Sequence, residues 1–216
     1  MRERLLTRLG ERFDGSLDTD QFLVYLMSPY KEFQLDDLLP EGTTPEEVNV
    51  DFAEWDDEEG EYTEQEVLDQ LTWLRDELRT GPGVNAFIAL DPDISIEEMD
   101  PATQSIEFAR ASNVVVFVAP HVGRNLGVGI ETGSVLEAFY ADDETDPVSA
   151  SRQERVLFVH EDSLSSAMIG SVTRRWETTV RSYTDREELL HEIKLFVVDV
   201  MNREFAGDLP QLAESG

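Results

Sequence analysis

The sequence predicts an α/β fold, a doubly wound domain with a five-stranded parallel sheet, and three observations carry that prediction. Short apolar runs rich in β-branched residues, such as residues 22–27 and 114–119, are typical of strands that are covered on both faces. Amphipathic stretches with helix-capping signals separate these runs. Strand and helix alternate along the whole chain, which predicts a parallel sheet with helices on both sides.

The N-terminal part of the chain supplies two helices and two strands. An apolar repeat at helical spacing predicts a helix over residues 2–13, and the run 22–27 predicts the first strand. Thr63 and Glu66 form a capping box, which predicts the start of a crossover helix that ends at the glycine-rich sequence TGPG. The second strand is predicted over residues 84–90.

Residues 36–62 form an acidic insertion between the first strand and the first crossover helix. The segment lacks a clear periodicity and is long for a connection inside a compact domain. A solvated insertion and a lid over a site both remain open. Acidic runs are usually solvated, whereas the aromatic residues Phe52 and Trp55 usually pack against something.

The C-terminal part of the chain supplies three further helices and three strands. Asp100 as N-cap and Pro101 in the first turn predict a helix that ends near residue 111. Buried strands are predicted over residues 114–119 and 155–160, and an edge strand over residues 176–183.

The closing helix is predicted from a second capping box at Thr184 and Glu187. The tail, residues 207–216, is predicted to fray. The predicted core face of the closing helix comprises Leu189, Ile193, Phe196, Val197 and Val200.

These elements predict a flavodoxin-like three-layer sandwich. Right-handed crossovers and the strand order 2-1-3-4-5 are the default topology for such a chain. A length of 216 residues fits one domain, here residues 1–216, with a sizeable core.

The acidic composition bears on the solvent and on partners. Asp and Glu number 47 against 17 Lys and Arg, so the formal net charge is −30. In dilute buffer such a charge repels itself, but at molar salt the Debye length falls to about 3 Å and the repulsion nearly vanishes. The composition resembles that of a protein from a salt-accumulating halophile. Because there is no basic patch, we expect no nucleic-acid partner.

Other residue types exclude further classes. The chain has no cysteine, which excludes disulfides and thiol nucleophiles, and its three histidines are too scattered for a zinc site. We expect no metal or redox cofactor. No stretch approaches the roughly 20 apolar residues of a membrane span, and the N-terminal residues lack the features of a secretory signal. A cytoplasmic protein without a membrane partner is therefore predicted.

The stretch 112–140 carries the strongest functional signal. A buried strand is followed by a glycine-rich loop and then by a helix over residues 130–140 that opens on Glu131. In the first helical turn the dipole and the free amides favour the ionised carboxylate, which suits a nucleophile or a group that stabilises a cation. An acid that merely offsets the helix dipole has the same pattern, so both interpretations remain open.

Two short motifs resemble a known family. The sequence NLGVGIETG, residues 125–133, resembles the nucleoside 2-deoxyribosyltransferase signature D-x-G-x-x-x-E-x-G, and VYLMSPY, residues 24–30, resembles the family's first strand and loop. A looser resemblance is to TIR-like domains that cleave NAD. The resemblance implies that Glu131 is the nucleophile that takes the sugar. Asn125 stands where the family has an Asp that handles the base, and an amide cannot shuttle a proton in the same way.

The predicted site lies at the carboxyl ends of the strands, where the strand order reverses between strands one and three. Tyr30 would stack on a base or orient the attacking Glu131, Asn125 would hold the base, and Arg124 would contact a phosphate. The glycines fit a tight turn or the close approach of a sugar or phosphate. The remaining predicted substrate contacts are Ser28, Pro29, His121, Gly127, Gly129 and Gly133.

Three further residues have a structural interpretation beside a functional one. Tyr25 alternates into the first strand and is predicted to be core, and Asp100 is more simply an N-cap than a substrate acid. His160 lies at the end of a predicted strand, and this location is the only reason to expect it to contact a ligand.

The predicted function is cleavage or transfer of an N-glycosidic bond in a nucleoside or nucleotide, with no cofactor. The family resemblance also implies a homo-oligomer. The alternative is a non-catalytic domain on the same scaffold that senses a nucleotide or binds a protein, since fold alone does not decide function.

Overall fold

The computed structural model describes residues 1–12, 19–28, 63–94, 98–120, 133, 135–139, 146–163 and 178–212. The predicted acidic insertion, residues 36–62, lies outside the described residues.

The described strands form one five-stranded sheet in which all neighbouring pairs are parallel. Their order is β2-β1-β3-β4-β5, which confirms the predicted fold class and strand order. The strands are β1 (Thr19–Met27), β2 (Val84–Phe87), β3 (Val114–Ala119), β4 (Val156–Glu161) and β5 (Thr179–Tyr183).

Helices cover both faces of this sheet. They are α1 (Arg2–Arg12), α2 (Glu64–Thr80), α3 (Pro101–Ala111), α4 (Pro147–Ala150) and α5 (Arg186–Ala206). Residues 133 and 135–139 are also helical, and a single 3₁₀ turn, Arg152–Arg155, leads into β4. None of the described helices is long and apolar enough to cross a membrane.

Each face of the sheet has its own apolar core, because successive side chains of a strand point to opposite faces. On β1, Tyr25 joins the core beneath α1 and α3, whereas Val24 and Leu26 join the core beneath α2 and α5. The predicted core role of Tyr25 is confirmed, since its ring is 2% exposed and stacks on Phe87 with centroids 5.0 Å apart.

Two predicted helix starts are confirmed by their hydrogen bonds. The Glu66 amide donates to Thr63 Oγ1 at 3.3 Å, and the Thr63 amide donates to the Glu66 carboxylate at 2.7 Å. The Thr63 hydroxyl also donates to this carboxylate, at 2.8 Å, and the two bonds that the carboxylate accepts from Thr63 lower the pKa of Glu66. Asp100 caps α3 by accepting from the Thr103 amide at 3.0 Å.

The start of α5 differs from the prediction by one residue. Asp185, not Thr184, is the N-cap, and its carboxylate accepts from the Glu188 amide at 2.8 Å. Glu188 rather than Glu187 reaches back, accepting from the Thr184 amide at 2.8 Å. Thr and Asp are both favourable N-caps, so the sequence pattern alone did not separate the two registers.

Two boundaries also differ from those predicted. β2 ends at Phe87, because the chain turns back at residues 88–91, where the Asp91 amide donates to the Ile88 carbonyl at 3.0 Å. After α5 the chain stays on the domain as far as Pro210. Leu209 is 2% exposed, and Arg155 donates to the Pro210 carbonyl.

Candidate functional site

The candidate site lies at the carboxyl edge of the sheet, between β1 and β3. The observed order places β2 on one side of β1 and β3 on the other, so the chain reverses direction across the sheet at this point. Met27, the last residue of β1, pairs with Phe117, so β3 extends two residues beyond the end of β1. In open parallel sheets the crevice at such a switch point is the usual ligand site.

Ser28 is the described residue at this edge that points most directly to a ligand. It follows the last residue of β1 and is 4% exposed. In the part of the chain that the structure describes, its buried Oγ makes no hydrogen bond. Leaving a buried hydroxyl unsatisfied costs about 1–3 kcal/mol, so a ligand that brings a donor or acceptor to Ser28 would recover that energy.

Most of the other predicted site residues fall where the structure gives no description. These residues are Pro29, Tyr30, His121, Arg124, Asn125, Gly127, Gly129 and Glu131.

Gly133 is described, and it is helical. Among the described residues, a Cβ built on Gly133 would meet no heavy atom within 4 Å, so packing against them does not require a glycine there. A glycine inside a helix destabilises it by roughly 0.5–1 kcal/mol relative to alanine. The open space beside Gly133 leaves room for a ligand to approach its backbone.

His160 occupies the end of β4, level with Ala119 of β3. Its ring is partly buried, and Nδ1 lies 2.8 Å from the Glu161 carbonyl oxygen. A carbonyl only accepts, so Nδ1 carries the proton, and in the neutral ring Nε2 then has the free lone pair. His160 is therefore suited to accept a hydrogen bond at this edge.

Asp91, which follows β2, is used by the fold. Its carboxylate accepts from Arg75 at 2.7 Å, from Arg79 at 3.5 Å and from the Ile88 amide at 3.0 Å. Burial lowers the pKa of Arg79 to about 10 although Asp91 lies beside it, so the guanidinium still carries its charge at neutral pH. These contacts anchor the end of β2 to α2, and they leave Asp91 little capacity for a ligand.

A second polar cluster, at the amino edge of the sheet, has no counterpart in the sequence prediction. Arg155, 1% exposed, donates to the carboxylate of Glu204, which also accepts from the Asn113 amide group at 3.0 Å. Asn113 in turn accepts from the Leu23 amide at 3.0 Å. Since this cluster lies at the edge opposite the crevice, we assign it a structural role. Sequence separations of 49 and 91 residues hide it from any local pattern.

The described residues contain no group of three or more His, Asp or Glu side chains that could hold a metal ion.

We compared the whole chain with curated proteins and with solved structures, and nothing matched. A family model described as a domain of unknown function, DUF7509, matches residues 2–213, and the chain therefore belongs to that family.

Proposed function

We propose that this protein cleaves or transfers an N-glycosidic bond in a nucleoside or nucleotide at the carboxyl edge of its sheet. The observation that supports the proposal most is the buried hydroxyl of Ser28 at the switch point of a doubly wound sheet, which has no hydrogen-bond partner among the described residues. Sugars and bases offer several donors and acceptors to such a hydroxyl. The open space beside Gly133 is consistent with a ligand that approaches the backbone there.

The chemistry of the proposal centres on Glu131. Along the chain, Glu131 falls between the end of β3 and the helical residues 135–139. Its carboxylate would attack the anomeric carbon or stabilise the oxocarbenium-like transition state. The bond from the anomeric carbon to the base nitrogen breaks, and the base leaves with the electron pair. Water or a second base then takes the sugar from Glu131.

Asn125 determines how the base leaves. An amide can hold the base by hydrogen bonds but cannot transfer a proton as a carboxylic acid does. The proton on the departing base would then come from solvent. Bases that leave without prior protonation are expected to be the better substrates.

The rival proposal is non-catalytic binding of a nucleotide or a protein on the same scaffold. Asn125 in place of an acid is the observation that favours it. It differs from the enzymatic proposal in one measurable outcome, because a sensor binds its ligand without releasing a base.

We expect the wild-type protein to release free base from at least one member of a panel of nucleosides, deoxynucleosides, deoxynucleotides and NAD. The incubation is made at molar salt, where the self-repulsion of the acidic surface is screened. Chromatography measures the free base, and calorimetry on the same panel measures binding. Saturable binding without free base would favour a nucleotide sensor, and neither binding nor free base would contradict both the enzymatic and the nucleotide-sensing proposals.

A pair of glycine substitutions tests whether a ligand approaches Gly133. In Gly133→Ala the added methyl meets open space, so we expect unfolding stability to be unchanged or to rise by up to about 1 kcal/mol, with nucleoside binding at least about tenfold weaker. Gly10→Ala is the matched control, because Gly10 lies in α1 and its Cβ would also meet nothing within 4 Å. Equal nucleoside binding by the two variants would show that no ligand comes close to Gly133.

A further inference from the structure

Helix α5 carries a second apolar face that lies exposed in the part of the chain that the structure describes. Its inner face packs against the sheet and α2 through residues such as Ile193 and Val197. On its outer face Leu195 is 54% exposed, Val198 42% and Phe205 91%. Exposed apolar residues are unremarkable when scattered singly, but these three lie on one helix.

The spacing of these residues is that of a helix-pairing seam. Leu195, Val198, exposed Asn202 and Phe205 are separated by three, four and three residues, which is the a/d pattern of a heptad. We call this set the α5 stripe. Asn202 is the polar member of this set, and it is exposed.

We propose that the α5 stripe is the interface between two copies of this chain, with the two α5 helices packed antiparallel across a two-fold axis near Val200. An isologous interface needs a surface that is complementary to itself. In this register Leu195 faces Phe205 of the second copy, and Val198 faces Asn202 of the second copy. Each contact therefore occurs twice.

Lys194 supplies one complementary pair of charges in this antiparallel arrangement. Lys194, one of two lysines in the chain, flanks the stripe near its N-terminal end. The arrangement brings it to the C-terminal end of the second copy's helix, where the helix dipole is negative and exposed Asp208 lies. In the monomer Lys194 is 3.6 Å from Glu77, and its side chain is 32% exposed, so it can turn to the second copy. In a parallel pair Lys194 would instead lie beside Asp199 of the second copy, so the orientation is decided by cross-linking.

One pair of like charges makes the association depend on salt. Asp199, whose side chain is 63% exposed, flanks the stripe near the two-fold axis and would face Asp199 of the second copy. This repulsion, together with the net charge of −30 on each copy, opposes pairing in dilute buffer. At molar salt the repulsion between the two Asp199 side chains and the repulsion between the two net charges are both screened. The apolar contacts of the α5 stripe then outweigh what remains of the repulsion.

The oligomeric state of the full chain tests the proposal. From about 0.2 M to about 3 M KCl, sedimentation velocity is expected to show the dimer dissociation constant falling at least about tenfold. Phe205→Asp is expected to leave a monomer at both salt concentrations with an unchanged circular dichroism spectrum, since the side chain is almost fully exposed. Leu90→Asp is the matched control, because Leu90 is also exposed, at 43%, but is not on α5, and this variant should dimerise like the wild type.

Cross-linking tests the orientation of the two α5 helices. Because the chain has no native cysteine, an introduced cysteine can form a disulfide only with the same residue of a second copy. Under mild oxidation Asp199→Cys is expected to form a disulfide-linked dimer, because residue 199 faces its own copy near the axis. Glu187→Cys, at the start of α5, should stay monomeric under the same conditions. A wild type that is monomeric at about 3 M KCl, a Phe205→Asp variant that dimerises normally, or a disulfide at residue 187 would each overturn the proposal. The proposal is independent of the enzymatic one, since α5 carries none of the predicted site residues.

Discussion

Arg155→Met is expected to lower the free energy of unfolding by about 3–5 kcal/mol, the range measured when one member of a buried ion pair is removed. Arg155 is 1% exposed and donates to the carboxylate of Glu204, to the Ser151 hydroxyl and to the Pro210 carbonyl. Without the guanidinium, Glu204 remains about nine-tenths buried, with Asn113 as its described partner.

The size of this effect follows from where the cluster lies. Glu204 is near the end of α5, Asn113 immediately precedes β3, and Arg155 immediately precedes β4. The ion pair therefore ties the closing helix to the amino ends of two central strands. Urea unfolding at a fixed molar salt concentration measures the change in the free energy of unfolding. Because salt ions have little access to a buried ion pair, we expect the loss of stability to persist at molar salt.

Two further variants distinguish the cost of leaving a buried charge without its partner from the cost of a general loss of packing. In Arg155→Met/Glu204→Met the uncompensated carboxylate is gone, so the double variant is expected to be more stable than Arg155→Met alone. Arg203→Met is the surface control. Arg203 pairs with Glu154, which is 52% exposed, and we expect a change of about 0–1 kcal/mol. A loss in Arg155→Met no larger than in Arg203→Met would contradict the structural role of the cluster.

Glu131→Gln is expected to reduce base release by about 10³-fold or more, the second large effect, provided that the wild type releases base. The amide has nearly the same shape, but it is neutral and a poor nucleophile. It can neither form the glycosyl ester nor stabilise positive charge at the anomeric carbon. Single-turnover assays with the best nucleoside of the panel measure the rate, and calorimetry measures binding, which should change little.

Glu137→Gln is the matched control for this substitution. Glu137 is an exposed acid among the helical residues 135–139, so its change removes the same charge from the same part of the chain. We expect its base release to stay within about twofold of wild type, as for most surface substitutions. Base release that survives Glu131→Gln would remove Glu131 from the mechanism and would leave the binding site at Ser28 as a separate question.

The fold could be predicted largely because its signals are local. The buried run 114–119 and the capping box at Thr63 and Glu66 depend on residues a few positions apart, and both were confirmed. Where two local signals competed, the prediction failed, as at Thr184 and Asp185. The two residues cap helices almost equally well, so the choice between them depends on how α5 meets the sheet.

From the sequence, only the location of the candidate site could be predicted. The predicted strand order gives the switch point at the carboxyl edge of the sheet, and Ser28 was named from its position after the first strand. The burial of Ser28, and the lack of a described partner for its hydroxyl, depend on residues from elsewhere in the chain that pack around it. A local sequence pattern does not contain those residues.

By itself the sequence determined which segments become strands and helices and that the sheet is parallel. Periodicity and capping determine these features within a few residues. Only the tertiary structure decided that Arg155 and Glu204 meet in the interior, that Asp91 is held by Arg75 and Arg79, and that α5 keeps an apolar face outside. Each of these depends on segments far apart in sequence being packed together, and burial and pairing energies exist only once they are.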